Sequence, residues 1–211
     1  MANTARTNTR AVLLAAGQGK RMKSSKPKVL HEVLGKSVLG RVLDAVDALN
    51  IDHVHIVIGH EADQIRRYLE QNPPRTQFST HLQEPQLGTG DALRKVVPSL
   101  GDFSGTLLVS VADTPLLQGD TLAALVDGHT ASGATVTLLT TDVEDAKSYG
   151  RIVRDQAGNV QCIVEDKDAT AQQKLIKEIN PAIYCFQWPA IKPGLDTLKN
   201  DNRQKEYYLT D

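Results

Sequence analysis

The apolar run Ala11 to Leu14 leads directly into Ala15-Ala-Gly17-Gln-Gly19-Lys20-Arg21-Met22, and Lys26-Pro-Lys28 follows a few residues later. Small residues and clustered cations in one tight connection suit a polyanionic ligand. Gly17 and Gly19 let the backbone come close to phosphates and turn its N–H groups toward them. Arg21 offers a planar fork, and Lys20 and Lys28 offer point charges. The dinucleotide fingerprint needs a glycine where Met22 stands, and the Walker loop needs Ser or Thr where Arg21 follows Lys20, so neither motif fits. The alternative is a plain strand-to-loop turn with solvated charges. A second candidate is Asp113, which follows the apolar run Thr106 to Ala112 and precedes Thr114-Pro115. A carboxylate at the carboxyl end of a strand suits a hard cation such as Mg2+, which prefers carboxylate and phosphate oxygens and needs only one or two protein ligands. The competing reading is an Asp that stabilises the turn before Pro115.

These groups need a scaffold that brings them together. Ala11–Ala15, Val54–Ile58, Thr106–Val111 and Thr135–Leu139 read as strands. Ser37 can cap a helix over Val38–Leu49, whose apolar residues recur at helical spacing, and Asp63–Gln71, Gly90–Val97 and Thr121–Thr130 behave similarly. Such alternation predicts an α/β fold of Rossmann-like type: a mostly parallel sheet with helices on both faces and ligands at the carboxyl ends of the strands. After Tyr149 the pattern changes. Arg151–Arg154 and Gln161–Val164 flank the turn signal Asp155 to Gly158, which predicts an inserted β-hairpin, then a polar helix over Thr170–Lys177 and a strand over Ala182–Phe186.

The 211 residues, 40% of them hydrophobic, suffice for one domain over 1–211, with residues 1–9 as a flexible N-terminal segment. With 24 basic and 25 acidic residues the formal net charge is −1, so no global field draws the chain to nucleic acid or an anionic membrane. No apolar stretch approaches the roughly 20 residues of a membrane span, and the expected location is cytoplasmic. Cys162 and Cys185 sit in apolar runs without metal-ligand spacing and read as buried, reduced thiols. His31, His53, His55, His60, His81 and His129 show no usable ligand spacing and read as surface or satisfied core residues.

Taken together, Leu14 to Met22 with Pro27-Lys28 resembles the signature of sugar nucleotidyltransferases. Further stretches narrow the match: Gln83-Glu-Pro-Gln-Leu-Gly88-Thr89-Gly90, Tyr149-Gly150-Arg151-Ile152, Val164-Glu165-Asp-Lys-Asp168-Ala169, Glu178-Ile-Asn180 and Glu206-Tyr-Tyr-Leu-Thr-Asp211. In this order they are similar to those of bacterial N-acetylglucosamine-1-phosphate uridyltransferases, specifically the uridyltransferase domain of the bifunctional enzymes. The resemblance implies uridylyl transfer from UTP to N-acetylglucosamine 1-phosphate, with Mg2+ as cofactor and no partner protein. It assigns Leu14, Ala15, Ala16, Gly17, Gly19, Gln83, Gly88 and Thr89 to the nucleotide. Arg21, Lys28 and Asp113 become the candidate catalytic residues, Asp113 also being the metal ligand. Gly150, Glu165, Asn180, Tyr208 and Thr210 go to the amino sugar. Uracil presents an imide edge that backbone groups and a carboxamide can pair with, and the sugar asks for mixed donors and acceptors. Taken alone, Gln83 and Thr89 also read as a loop entering a helix, Glu165 as a solvated hairpin charge and Tyr208 as a partly buried aromatic.

Three stretches depart from the pattern of this family: Val111-Ala112 replaces a pair ending in Gly, Pro181-Ala182 stands where Thr-Gly is common, and Arg203-Gln204-Lys205 replaces a stretch ending in Gly. The resemblance also puts a second magnesium ligand, an Asn, and a last core strand beyond Asp211, which leads one to expect a domain truncated at its C-terminal end. The alternatives are a sugar-1-phosphate nucleotidyltransferase for dTTP or another sugar, and an inactive nucleotide-sugar-binding module.

Overall fold

The computed structural model describes residues 6–19 and 22–211. In chain order the elements are β1 (Thr9–Leu14), β2 (Glu32–Val33), β3 (Lys36–Ser37), α1 (Val38–Asp47), β4 (His53–Ile58), α2 (Ala62–Gln71), β5 (Phe78–Leu82), α3 (Thr89–Arg94), α4 (Val97–Leu100), β6 (Thr106–Val111), α5 (Gly119–Ser132), β7 (Val136–Leu138), β8 (Thr141–Asp142), β9 (Gly150–Arg154), β10 (Val160–Val164), β11 (Glu178–Asn180), β12 (Ile183–Gln187) and α6 (Trp188–Thr197).

The main sheet has the order β5-β4-β1-β6-β12-β7, with β5, β4, β1 and β6 parallel and β12 antiparallel to both of its neighbours. Its central strands are apolar on both faces because helices cover both. Alternate residues therefore enter two separate cores. Leu13, Ile56, Leu108 and Cys185 pack with Leu39, Val46, Ile65 and Leu122 from α1, α2 and α5. Val12, Val57, Val109 and Tyr184 pack on the other face with Leu93, Leu100, Trp188 and Leu195 from α3, α4 and α6. Each fully buried aliphatic side chain contributes about 1.5–3 kcal/mol, so the two cores dominate the fold. Helix α1 begins where the sequence places its cap: the Ser37 hydroxyl accepts from the Gly40 N–H at 2.9 Å.

Several expectations need correction. The hairpin β9–β10 exists, but it belongs to a four-stranded antiparallel sheet of order β10-β9-β11-β8. Thr170–Lys177 holds only a 3-10 turn at Gln173–Leu175. There the Thr170 hydroxyl and the Gln173 amide bond each other's backbone N–H groups, and no apolar face exists to extend the turn. Cys162 is exposed on β10, so only Cys185 is the buried thiol; both are free. The histidines are not all satisfied either. Among the described residues, the buried Nε2 atoms of His31 and His55 find no hydrogen-bond partner. His53, His55 and His81 converge on the Ser79 hydroxyl, each with a ring nitrogen 3.0 Å from it, because parallel pairing sets His55 beside Ser79. No described helix is long and apolar enough to cross a membrane.

Candidate active site

A cavity of about 660 Å³ opens at the carboxyl ends of β1, β5 and β6. Parallel strands that end together leave unpaired backbone there, and loops complete the hydrogen bonding. The Ala15 N–H donates to Val57 (2.8 Å), the Gln83 N–H to Ile58 (2.8 Å) and the Ala112 N–H to Leu14 (3.0 Å), each bond aligning a loop root with its neighbour.

All ten described residues assigned above to the nucleotide and to catalysis line this cavity: Leu14, Ala15, Ala16, Gly17, Gly19, Gln83, Gly88, Thr89, Lys28 and Asp113. Lys20 and Arg21 lie outside the described residues. Gly17 is open: a Cβ there would meet nothing within 4 Å. Gly19 has φ of 59°, and a Cβ there would stand 2.8 Å from the Lys28 Cβ, so glycine lets the loop close over Lys28. Lys28 opens a 3-10 turn, and its ammonium pairs with the Asp113 carboxylate across the cavity. Among the described residues no group of three or more His, Cys, Asp or Glu side chains could hold a metal ion, and the carboxylates that line the cavity are those of Asp113 and Glu206.

The second wall is a strap formed by residues 203–209. Gly88 has φ of 107°, and a Cβ there would lie 2.6 Å from the Tyr207 carbonyl oxygen. Three backbone N–H bonds fasten the strap: Tyr207 to the Leu87 carbonyl (2.7 Å), Gly90 to the Tyr207 carbonyl (2.8 Å) and Leu209 to the Thr89 hydroxyl (2.9 Å). Thr89 therefore ties the strap down instead of capping α3, whose cap residue is Gly88. The Arg94 guanidinium lies 4.5 Å over the Tyr207 ring and steadies it from behind. Asp168 fixes the other side, accepting from the Arg203 N–H (3.0 Å) and the Tyr208 hydroxyl (3.3 Å).

The five residues assigned to the sugar do not line this cavity. Gly150 and Thr210 adjoin Glu165, Asn180 bonds Tyr184, and Tyr208 bonds Asp168. Gly150 is packed so closely that a Cβ would approach both Glu165 carboxylate oxygens at 3.4 Å, and the Thr210 hydroxyl donates to Glu165 at 3.1 Å. Burial raises the Glu165 pKa, and the neighbouring acids Asp211, Asp168 and Glu206 push it the same way. Asn180 is buried, donating to the Tyr184 hydroxyl at 2.6 Å and accepting from the Ala182 N–H at 3.1 Å. Among the described residues it retains one amide N–H and one carbonyl lone pair. Tyr208 is buried, and burial pushes its hydroxyl up to about 12.

The cavity has lining that sequence reasoning did not assign, notably Gln18, Gln86, Lys167, Arg203 and Gln204. Gln18 donates to Gln86 (3.1 Å), and Gln86 to the Gln83 carbonyl (3.4 Å), so the glycine loop and the loop after β5 hold each other. Lys167 lies within the stretch Val164 to Ala169, and Arg203 within Arg203-Gln204-Lys205, where the chain departs from the family pattern; these were the available signals.

Residues 11–208 match the MobA-like NTP transferase domain family. The chain is 43% identical over 199 residues to the Bifunctional protein GlmU of Synechococcus elongatus, covering 94% of this chain and 43% of that protein. It is 46% identical over 201 residues to the Bifunctional protein GlmU of Pelotomaculum thermopropionicum, covering 95% and 43%. The chain thus spans under half the length of these relatives. Among solved structures, UDP-glucose pyrophosphorylase complexed with UDP-glucose superposes with a TM-score of 0.79 at 17% identity, covering 96% of this chain and 84% of that one. HddC from Yersinia pseudotuberculosis superposes at 0.70 and 20% identity, covering 95% and 83%. At these identities the structural likeness concerns the fold.

Proposed function

The chain belongs to the MobA-like NTP transferase domain family, and from that premise we propose that it transfers the uridylyl group of UTP to N-acetylglucosamine 1-phosphate, forming UDP-N-acetylglucosamine and pyrophosphate. The observation that carries this reading is the convergence of residues 14–19, Lys28, Gln83–Thr89 and Asp113, from three strand ends and the turn at Lys28, on one cavity. Relatives carrying the GlmU name and a neighbour complexed with UDP-glucose support the substrate class.

In the reaction an oxygen of the sugar phosphate attacks the α-phosphorus of UTP, and the bond to pyrophosphate breaks. The protein supplies no nucleophile. Its residues position the two substrates and neutralise charge, as in phosphoryl transfer generally. Lys28, at the cavity wall, meets the charge that redistributes on the α-phosphate, and Arg21 is assigned to the triphosphate. A fixed donor or cation at such a place contributes about 3–4 kcal/mol to the transition state. Asp113 would hold Mg2+ together with phosphate oxygens and waters, and that cation would supply charge neutralisation on the triphosphate. Gly150, Glu165, Asn180, Tyr208 and Thr210 form the sugar end. The substrates come together where the Asp168-anchored strap joins that cluster to the cavity.

The test is a substrate matrix: UTP and dTTP against N-acetylglucosamine, glucosamine and glucose 1-phosphates, with pyrophosphate release as readout. Highest kcat/KM for UTP with N-acetylglucosamine 1-phosphate is expected. A preference for another pair would reassign the substrate, and silence with every pair would leave a binding module.

A further inference from the structure

The buried pair Gln83 and Asp91 settles which atom of Gln83 faces the cavity. Gln83 is fixed at its root by the backbone bond to Ile58, and its side-chain Nε2 donates to the Gly88 carbonyl oxygen (2.9 Å) and to Asp91 Oδ2 (2.8 Å). Both partners are acceptors only. Turning the amide over would set Oε1 against two oxygens, so the hydrogen-bond chemistry itself fixes the orientation. Asp91 is held in turn by Lys95, whose ammonium lies 3.3 Å from its other oxygen. Both Asp91 and Gln83 are almost fully buried, at 6% and 3% exposure, where an unpaired or mispaired polar atom is costly. Gln83 lines the cavity while Asp91 stands behind it. Among the described residues nothing donates to Gln83 Oε1, so the wall shows an acceptor at that point.

We propose that Asp91 is a positioning residue for base selectivity: it holds the Gln83 amide with Oε1 toward the cavity, so that the site takes a pyrimidine with an N3–H donor and rejects cytosine. Uracil and thymine carry that N3–H. Cytosine has a bare lone pair at N3, which would face the Gln83 oxygen with no proton between them. This inference rests on the reading of the cavity as a nucleotide site and adds a residue that touches no substrate. The amide of an asparagine in place of Asp91 can donate to Gln83 Oε1, which frees Gln83 to turn its NH2 toward the base.

The experiment compares wild type, D91N, D91A, Q83A and the double variant Q83A/D91N, each checked for folding by circular dichroism. UTP and CTP are compared by equilibrium binding and, in parallel, by kcat/KM with N-acetylglucosamine 1-phosphate. The UTP-to-CTP ratio is expected to fall by roughly tenfold or more in D91N and D91A, the scale of one mispaired buried hydrogen bond. In the Q83A background D91N should not lower the ratio further, whereas a merely structural loss would weaken both nucleotides alike. An unchanged ratio in folded D91N and D91A, a further fall in the double variant, or no preference for UTP in wild type would each overturn the proposal. A wild type that binds UTP selectively yet forms no sugar nucleotide would refute the activity while leaving this comparison intact.

Discussion

Lys28 and Asp113 stand 85 positions apart in sequence, one in the turn after the glycine loop and the other just past β6, and their charged groups form an ion pair at the cavity wall. Each side chain is one third exposed, so the pair contributes only about 0–1 kcal/mol to stability. Its importance lies in charge placement. Lys28→Ala is therefore expected to lower kcat by roughly 100- to 1000-fold while shifting the melting temperature little. Asp113→Asn should raise the divalent cation concentration needed for half-maximal rate. Steady-state kinetics beside thermal denaturation separates the two effects; a large loss of stability with unchanged kcat would contradict the assignment.

Gly88→Ala should be the most damaging single-methyl change in the site. The position combines φ of 107° with a strap carbonyl that the new Cβ would meet at 2.6 Å. Freeing the strap costs its backbone bonds, on the order of 2–3 kcal/mol. We expect KM for UTP to rise and hydrogen exchange at the Tyr207 and Leu209 amides to speed up. Protection unchanged from wild type would refute the strap's dependence on Gly88.

Acidification should destabilise the protein well above the usual carboxylate range. Burial, then the neighbouring charges of His53, His81 and Arg10, pull the His55 pKa down to about 3. Burial also lowers the values of His53, His81 and His129. A depressed imidazole binds its proton in the unfolded chain first, so the unfolded state holds more protons between the folded pKa and about 6.5. Stability is thus present above about pH 6.5 and is lost as pH falls toward the folded value. For His55 alone this amounts to about 2 kcal/mol between pH 6.5 and 5. Urea midpoints measured across that range should fall, and His55→Gln should flatten the slope; an equal slope in the variant would count against His55.

Ala182 and Lys205 occupy left-handed backbone, at φ of 60° and 57°. Both are places where the family pattern resembled in the sequence has glycine. Replacement by glycine relieves strain of about 1–2 kcal/mol and adds unfolded-state entropy of about 0.5–1 kcal/mol. Ala182→Gly and Lys205→Gly should each stabilise by up to about 1 kcal/mol, read from denaturant midpoints. Destabilisation by either would show that the side chain makes a compensating contact.

Much of this architecture was legible in the chain. β6 is readable because a buried parallel strand is a continuous apolar run, and Asp113 because it is the first charged residue past that run. Ser37 and α1 are readable because capping and periodicity are local. Three features resisted reading for physical reasons. β5, with Ser79, Thr80 and His81, is polar and exists through its pairing with β4. α6 contains Pro189 and Pro193, and it is anchored by Trp188 and Leu195 packing on the sheet. In the site, the glycine loop and Gln83 stood out by motif, whereas Lys167 and Arg203 reach the cavity wall from segments distant in sequence, and Asp91 shows its place only through its bonds to Gln83 and Lys95.

The most direct test of the central claim follows the label of [α-32P]UTP incubated with N-acetylglucosamine 1-phosphate and Mg2+, with and without EDTA. Transfer of the label into UDP-N-acetylglucosamine, with one pyrophosphate released per product and no transfer in EDTA, is the predicted result. Folded protein that binds UTP but leaves all label in UTP would contradict it.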